Sequence, residues 1–448
     1  MKPMQIKKEI KMKKLLIVIF MANSLLAQEK ILTLRESLAI GLHNSKDLKN
    51  YKSKINYADA KLTEISSQFL PQFKLLGNYS RLSDNIPPFE VTMPFAPNPI
   101  RISEALLNNY TFKLGFSQPL FSGGKLLSLK KSAKLNLWAS EKDYAKEENE
   151  AAFAIYSTYW NYYKAAEINK LVRQSLQRMA EHLKNTKSFY ENGLLAKNDL
   201  LKMEVQYANT QLLLIEAENN LQLARITFNK AIGIDLTSAT RVAASEPAVS
   251  SAKYQIADII SEATGNRQEL KSLSYRVEAS RKSVSAAKAN RLPAVYLNGN
   301  YNYGNPNPRF HPARNEFNSN WDLAVTFSWD IWNWGLTQSQ VSQAVQTEVQ
   351  LETNLEQLKE NIQMEVYANY LNLNKHEAQV SVSKETLDQA LENYRITCEK
   401  YNMQLATSTD LIDAETLKLQ AETNLKTAEV DSRVAKVKLE KSLGRVIY

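Results

Sequence analysis

The side chains with the clearest chemical potential are carboxylates that follow two short breaks in otherwise helical stretches. Asp199 follows the first break, and Asp410 and Asp413 follow the second. A carboxylate in the first turn of a helix accepts hydrogen bonds from free backbone N–H groups and complements the helix dipole, which contributes about 0.5–1 kcal/mol. The sequence therefore explains these residues as helix caps unless their surroundings give them a second role.

Other candidate sites are weak. Gly123-Gly124-Lys125 has the end of a phosphate-binding loop, but Pro119 stands where the first glycine of that motif belongs. The histidines have no second ligand at helical spacing, which argues against a metal site. No pairing of a nucleophile with a base stands out either. The sequence therefore predicts a protein that is not an enzyme and has no cofactor.

Charge excludes one class of partner. The chain has 448 residues with 56 Lys and Arg against 47 Asp and Glu, for a formal net charge of +9. Six of those lysines and one glutamate lie in the first 27 residues. The remaining excess of base over acid is too small for a nucleic-acid-binding surface, so no nucleic acid is expected as a partner.

The first 27 residues have the pattern of a signal peptide. Two lysines precede the apolar run 15–26, and Ala27 supplies a small residue at the cleavage site. The run is shorter than the roughly 20 residues that span a bilayer. The sequence therefore predicts export, with translation starting at either Met1 or Met12.

The rest of the chain repeats itself. At an offset of 211 residues, Phe116 matches Phe327, Tyr190 matches Tyr401, and Asp199 matches Asp410. Upstream, Gly77-Asn78-Tyr79 matches Gly299-Asn300-Tyr301 at an offset of 222. A constant register of this kind indicates an internal duplication, in which the first half carries a longer loop.

Each half contains the same elements in the same order. A helix comes first, then two strands, a very long helix, a short break and a helix of half that length. The predicted helices span 33–68, 125–191 and 199–232 in the first half, and 255–291, 336–402 and 410–443 in the second. Thr33 and Glu36 form the sequence pattern of a capping box at the first of these helices. Glycine and proline are scarce, 12 and 13 residues in all, as long helices require.

Four segments with a period of two predict the strands, at 73–80, 112–117, 295–303 and 321–329. Each has one aromatic, apolar face and one polar face, which is typical of strands in a membrane barrel. A small soluble sheet packed on the helices is the alternative. Four strands cannot close a barrel, and open sheet edges are not tolerated in hydrocarbon. The membrane interpretation therefore requires several chains to share one barrel.

Taken together, these residues resemble the family of TolC-type outer-membrane efflux and secretion channels. The resemblance covers about residues 32–444 and depends on the duplication. It also depends on the strand-to-helix junction Gln118-Pro119-Leu120-Phe121-Ser122-Gly123-Gly124 and its counterpart Asp330-Ile331-Trp332-Asn333-Trp334-Gly335. It implies a mainly α fold with a small β part: a homotrimer in which a long α-helical barrel is topped by a shared 12-stranded transmembrane β-barrel, with four strands from each chain.

The resemblance also implies a location and a function. The protein would sit in the outer-membrane lipid of a Gram-negative bacterium and extend into the periplasm. It would pass substrates from an inner-membrane RND or ABC transporter and a periplasmic adaptor protein to the outside. The sequence does not distinguish drugs, metals and proteins as cargo. A periplasmic coiled-coil adaptor is the main alternative, and an exported enzyme with helical decoration is a third.

The resulting division of the chain follows the repeat. A signal peptide at 1–27 comes first. The first repeat then has a helix at 28–70, a membrane β-hairpin at 71–122 with a surface loop at 82–110, and a long helix, periplasmic tip (192–198) and return helix at 123–233. An irregular equatorial segment at 234–254 leads to the second repeat, which has a helix at 255–292, a membrane β-hairpin at 293–334, and a long helix, periplasmic tip (403–409) and return helix at 335–448.

In this family the helical tips meet the adaptor and close the tunnel. The resemblance implies docking of the adaptor on Gly193, Leu194, Leu195, Ala196, Leu405, Ala406 and Thr407. It implies a periplasmic aperture formed by Asp199, Tyr401, Asp410 and Asp413. Six carboxylates around a constriction would favour cations. Two departures from the family are expected to matter, namely Gln404 in place of the second tip glycine and Ala406 in place of an arginine.

Overall fold

The computed structural model describes residues 30–243 and 254–447. The predicted signal peptide and residues 244–253 of the predicted equatorial segment lie outside these ranges. Packing divides the chain into two units. The first unit contains the described residues up to Tyr51, together with Tyr144–Gln268 and the chain from Lys359 onward. The second unit contains Lys52–Asp143 and Glu269–Leu358.

Helices make up most of the structure. They are α1 (Leu34–Asn44), α2 (Lys46–Ser67), α3 (Lys125–Glu191), α4 (Lys197–Ala231), α5 (Ile256–Asn266), α6 (Gln268–Lys288), α7 (Leu336–Asn402) and α8 (Ser408–Ser442), with a 3₁₀ turn at Ala289–Arg291. The two 67-residue helices, α3 and α7, have the bounds that the sequence predicts. Within the described ranges, no helix combines the length and the apolar character needed to cross a bilayer.

The first helix of each half is divided in two, contrary to the prediction of one continuous helix. Ser45 separates α1 from α2 with an extended ψ of 119°, and its side chain accepts a hydrogen bond from the amide of Leu48 (3.2 Å). The Asn44 side-chain amide donates to the carbonyl of Ile232 (3.2 Å), at the end of α4. A Cβ on Gly233 would lie 2.7 Å from Asn44 Cβ, so the end of α4 abuts this break.

The second half repeats this arrangement. Arg267 separates α5 from α6 with a ψ of 124°. Its guanidinium donates to the carbonyl of Ser442 at the end of α8 (3.1 Å) and pairs with Glu365 (2.9 Å). A Cβ on Gly444 would lie 2.8 Å from the backbone of Asn266. Each break therefore lies where the end of a return helix approaches too closely for a side chain, a long-range contact that local sequence does not show.

The strands are β1 (Lys30–Leu32), β2 (Gln72–Arg81), β3 (Phe89–Val91), β4 (Ile100–Ser103), β5 (Asn108–Phe121), β6 (Thr240–Val242), β7 (Ala294–Asn305) and β8 (Asn318–Ser328). The four predicted strands form one antiparallel sheet in the order β2-β5-β7-β8. The loop predicted at 82–110 in fact contains the hairpin of β3 and β4 and the start of β5. The sequence also missed the parallel pair β1–β6, because three-residue strands show no periodicity.

An aromatic cluster forms the core of the first unit beside that pair. Tyr159 and Tyr162 of α3 are buried and pack against Phe228 of α4. Their hydroxyl groups donate to the carbonyl oxygens of Ala243 (2.7 Å) and Thr240 (2.6 Å). The tyrosines thus fix β6 to the helices and leave no polar group of their own unsatisfied.

Candidate functional site at the helical tips

The first long helix ends in a Schellman motif. The amide of Gly193 donates to the carbonyl of Tyr190 (2.9 Å), and the amide of Leu194 donates to the carbonyl of Phe189 (2.9 Å). This pattern needs a left-handed residue after the helix, and Gly193 supplies it with a φ of +72°. A Cβ on Gly193 would meet nothing within 4 Å, so the backbone conformation alone favours glycine here.

The second long helix ends in the same motif without a glycine. The amide of Gln404 donates to the carbonyl of Tyr401 (2.9 Å), and the amide of Leu405 donates to the carbonyl of Lys400 (2.8 Å). Gln404 has a φ of +66°, a region that most residues with a side chain avoid. Gln404 in place of a glycine therefore raises the conformational free energy of the turn and leaves the geometry of the turn unchanged.

The return helix α8 begins with a capping box. The carboxylate of Asp410 accepts from the backbone amide (2.8 Å) and the hydroxyl (2.7 Å) of Thr407, while the amide of Asp410 donates to that hydroxyl oxygen (3.1 Å). The bond from the Thr407 amide, followed by that from its hydroxyl, lowers the pKa of the Asp410 carboxyl group. Because Asp410 is the third residue of α8, the helix starts two residues earlier than predicted.

The other two aspartates are not capped in this way. The return helix α4 follows Ala196, which makes no side-chain cap, and the amide of Asp199 donates to the Ala196 carbonyl (3.0 Å). The carboxylate of Asp199 and that of Asp413 have no hydrogen-bond or ion-pair partner in the part of the chain that the structure describes. Helix capping is therefore confirmed as a role of Asp410, whereas the Asp199 and Asp413 carboxylates make no capping bond among the described residues.

Tyr401 is a packing residue within the chain. Its side chain is 2% exposed, and its hydroxyl lies 2.6 Å from the hydroxyl of Thr186 and 3.4 Å from that of Ser408. No hydrogen bond joins Tyr401 to Asp199 among the described residues. The roles of Tyr401 and of the three aspartates at an aperture stay predictions, since they concern contacts around an assembled opening.

The tip residues divide into packed and exposed positions in the same way in both halves. Leu195 and Ala406 pack against a buried core formed by Met179, Met203, Tyr401 and Leu411. Their neighbours Leu194 and Leu405 are 52% and 74% exposed. Each tip therefore presents one leucine with at least half of its surface exposed.

A groove runs beside the tips between α4 and α8, with a volume of about 450 Å³. Its lining is Asn198, Leu201, Lys202, Val205, Gln206, Thr409 and Ile412. The Lys202 ammonium donates to the Thr409 hydroxyl across it (3.2 Å). Leu201 and Val205 are exposed, so the groove is an open surface with apolar walls.

A buried ion pair lies behind the tips, and sequence reasoning missed it. Glu415 is 1% exposed, and its carboxylate accepts from Ser175 (2.7 Å) and from the Arg178 guanidinium (2.9 Å). These residues are about 240 positions apart, so no local pattern shows the pair. The only signal was that Glu415 matches Glu204 in the repeat.

Further titratable side chains surround this pair. His182 Nε2 lies 3.0 Å from the hydroxyl of Tyr394, and the Lys418 ammonium lies 4.0 Å from the centre of the Tyr394 ring. Burial lowers the pKa of His182 and of Lys418 and raises the pKa of Glu422 and of Tyr394. Among the described residues, no group of three His, Cys, Asp or Glu is placed to hold a metal ion.

The sheet of the second unit has two chemically distinct faces. Phe73, Leu75, Trp321 and Phe327 are among the large apolar side chains that it exposes. On the other face, polar side chains bond across β7 and β8, as Asn300 does to Asp322 (2.8 Å). A sheet face with this many exposed large apolar side chains is typical of a surface that contacts lipid or another protein.

Comparison with known proteins identifies the group to which these features belong. The sequence model of the outer membrane efflux protein family matches residues 40–234 and 259–445. These two segments correspond to the two halves of the duplication.

Two relatives align with most of the chain. Outer membrane protein TolC of Vibrio cholerae is 24% identical over 392 residues, which cover 86% of this chain and 84% of the relative. Outer membrane protein TolC of Escherichia coli is 20% identical over 398 residues, which cover 86% of this chain and 76% of the relative.

Solved structures share the fold. The CmeC outer membrane channel of Campylobacter jejuni superposes with a TM-score of 0.76 at 17% identity, over 92% of this chain and 85% of that one. The outer membrane protein VceC of Vibrio cholerae also gives 0.76, at 16% identity, over 92% of this chain and 96% of that one.

Proposed function

Because the chain belongs to the outer membrane efflux protein family and is an outer-membrane channel, we propose that three copies form the exit duct of a tripartite efflux or type I secretion system. An inner-membrane RND or ABC transporter and a periplasmic adaptor protein would deliver the substrate. The observation that carries this proposal is the sheet β2-β5-β7-β8, with an exposed apolar face and two outer strands whose outer edges have no strand partner among the described residues.

The open sheet supports a shared barrel. Within the part of the chain that the structure describes, β2 and β8 each leave one row of backbone N–H and C=O groups without a strand partner, and these groups cannot face hydrocarbon unpaired. Pairing the outer strands of successive copies satisfies both rows and keeps every pair antiparallel. Three copies would give twelve strands, and the helices would form the part of the duct in the periplasm.

The tips are the proposed docking site of the adaptor. Leu194 and Leu405 occupy matching positions and are exposed. Two leucines from each of three chains would present a ring of six apolar positions. Apolar side chains that enter a partner's pockets contribute much of the affinity of such an interface. Gly193, Ala196 and Thr407 shape the turns around them.

The carboxylates are the proposed aperture. Asp199 and Asp413 have no partner among the described residues, and the capping bonds of Asp410 lower the pKa of its carboxyl group, which favours the charged form. Rings of such carboxylates at a constriction would concentrate cations and repel anions. Asp410 would then serve both as a helix cap and as a charge at the opening.

Light scattering of the mature protein in a mild detergent tests the proposal. We expect the protein mass, after subtraction of bound detergent, to equal that of three chains. A mass of one chain that does not change with detergent would contradict the shared barrel, because four strands cannot close. A periplasmic adaptor protein would be the better explanation of such a result.

A further inference from the structure

We propose that β8 of one copy pairs with β2 of the next in a single register, which places Phe327 over Gly77 and Asp330 beside Lys74 of the neighbouring copy. This inference rests on the proposed shared barrel and adds its contacts between subunits. All four strands lie within the second unit.

The two hairpins are equivalent in pairing as well as in sequence. In the first, Gln72 of β2 lies opposite Ser117 of β5. The repeat offsets, 222 for the first strand and 211 for the second, convert this pair into Ala294 and Ser328. Those two residues lie opposite each other in β7 and β8. The offsets therefore predict strand register, and they can be applied to the joint between hairpins.

The joint between hairpins is the pairing of the second strand of one hairpin with the first strand of the next. It is present once inside the chain, where β5 pairs with β7. Phe116 lies opposite Gly299 there. A Cβ on Gly299 would lie 2.3 Å from the Phe116 ring, so the ring covers the glycine directly. Gly299 is buried as a result. An aromatic ring seated on a cross-strand glycine fixes the register, because a shift of one residue moves the ring to the other face.

The equivalent residues at the outer strands make no such contact. Phe327 corresponds to Phe116 and is 63% exposed, and Gly77 corresponds to Gly299 and is exposed. A Cβ on Gly77 would meet only the Phe112 ring, at 3.4 Å, which is an ordinary contact. The ring and its glycine are thus both present in the chain, on opposite outer strands, where only a second copy brings them together.

The lengths of β5 and β8 support the same conclusion. The last residues of β5 continue as a strand because Gln118 lies opposite Leu297 and Phe121 lies opposite Val295. The equivalent segment of the second half, residues 329–332, is not a strand and has no strand partner in the described ranges 30–243 and 254–447. Its apolar side chains Trp329, Ile331 and Trp332 are all exposed. Pairing with β2 of a second copy would extend β8 over these residues and cover part of them.

Charge agrees with this register. Pro119 lies opposite Tyr296 at the joint inside the chain. The offsets convert this pair into Asp330 of one copy and Lys74 of the next, which are of opposite charge. Both are exposed, and neither has an ion-pair partner among the residues that the structure describes. Opposite charges on facing positions of neighbouring strands favour their pairing.

Cysteine crosslinking tests the register. Lys113 lies opposite Asn302 inside the chain, and the offsets convert them into Ala324 and Ser80 of successive copies. We would introduce Ser80→Cys and Ala324→Cys together in a chain with Cys398→Ser, which removes the one native cysteine. Two strands separate β2 from β8 within a chain, a distance of about 14 Å that excludes an intrachain disulfide.

Mild oxidation should convert this variant into covalent dimers and trimers on a denaturing gel. The matched control, Leu76→Cys with Ala324→Cys, displaces one cysteine by four residues, or about 13 Å, and should stay monomeric. Crosslinking of the control in place of the test pair, in a protein with the mass of three chains, would overturn the register. A mass of one chain with no crosslinking of either pair would overturn the proposed function itself.

Charge exchange gives a second readout. Lys74→Asp alone and Asp330→Lys alone should each lower the fraction of trimer that survives heating in detergent, because each places like charges opposite one another. The double variant should restore it. Absence of rescue, with both single variants as stable as the parent, would contradict the contact between Asp330 and Lys74.

Discussion

Gln404 and Gly193 occupy equivalent turns 211 residues apart, and both have a left-handed backbone, with φ of +66° and +72°. The two tips therefore share one backbone geometry but differ in conformational free energy. A residue with a Cβ is destabilised by roughly 1–2 kcal/mol in this conformation, and glycine is not. Gln404 is exposed, and its side chain makes no hydrogen bond among the described residues. The difference between them can be measured directly.

Gln404→Gly is expected to stabilise the second tip by about 1 kcal/mol, since glycine adopts this conformation without steric cost. The measurement is hydrogen exchange of the Leu405 amide, which bonds across the turn and should exchange more slowly in the variant. Gly193→Ala is the matched control and should speed exchange at Leu194. Faster exchange at Leu405 in Gln404→Gly would contradict the account.

Glu415→Ala is expected to lower the stability of the helical part by about 3 kcal/mol. It removes the nearer of the two carboxylates that pair with the Arg178 guanidinium in a largely buried site and leaves only Glu422, at 3.8 Å. The estimate is at the low end for such pairs because Glu422 remains and the Arg178 side chain is 23% exposed. Thermal unfolding followed by circular dichroism measures the loss.

Glu204→Ala is the control for that experiment, because Glu204 matches Glu415 in the repeat but is exposed. It should change stability little, as surface substitutions generally do. Equal losses of stability in the two variants would show that the ion pair between Glu415 and Arg178 does not stabilise the fold.

His182 should make the helical part less stable in acid. Burial lowers its pKa in the folded protein below the value of about 6.5 in the unfolded chain, so the unfolded chain takes up a proton more readily. The contribution of neutral His182 is complete above about pH 6.5 and is lost as the pH falls below that value. The charged groups that act on it are Glu415, Glu181, Arg178 and Lys418.

Stability measured at pH 7.5 and at pH 5.5 in the parent and in His182→Gln checks this expectation. The parent should lose more stability between the two values than the variant does. His43→Gln, at an exposed position on α1, is the control and should follow the parent. A pH dependence unchanged by His182→Gln would contradict the assignment.

Asp199→Asn together with Asp413→Asn should reduce the preference of the open channel for cations. Both carboxylates lack partners among the described residues, so their removal changes charge with little effect on the fold. The reversal potential across a planar bilayer in a salt gradient should shift so that the cation-to-anion permeability ratio falls by about twofold or more. An unchanged ratio would place these carboxylates away from the narrowest part of the pore.

Much of the fold follows from local sequence patterns. The absence of glycine and proline predicted α3 and α7 residue for residue, and the alternation of apolar side chains predicted the four main strands. The duplication could be predicted as well, because its offset is constant. Such patterns can be recognised in the sequence because they do not depend on which distant residues the segment contacts.

What the sequence did not predict depends on contacts between distant residues. The break at Ser45 exists because the end of α4 abuts it, and the Arg178–Glu415 pair joins positions on α3 and α8. In each case the local sequence is compatible with either outcome, and the packing decides.

Electron cryo-microscopy of the mature protein in lipid nanodiscs tests the central claim most directly. We expect a three-fold ring in which twelve antiparallel strands close within the lipid, with β8 of each copy beside β2 of the next. A particle with one chain, or a sheet that lies outside the lipid, would contradict the channel.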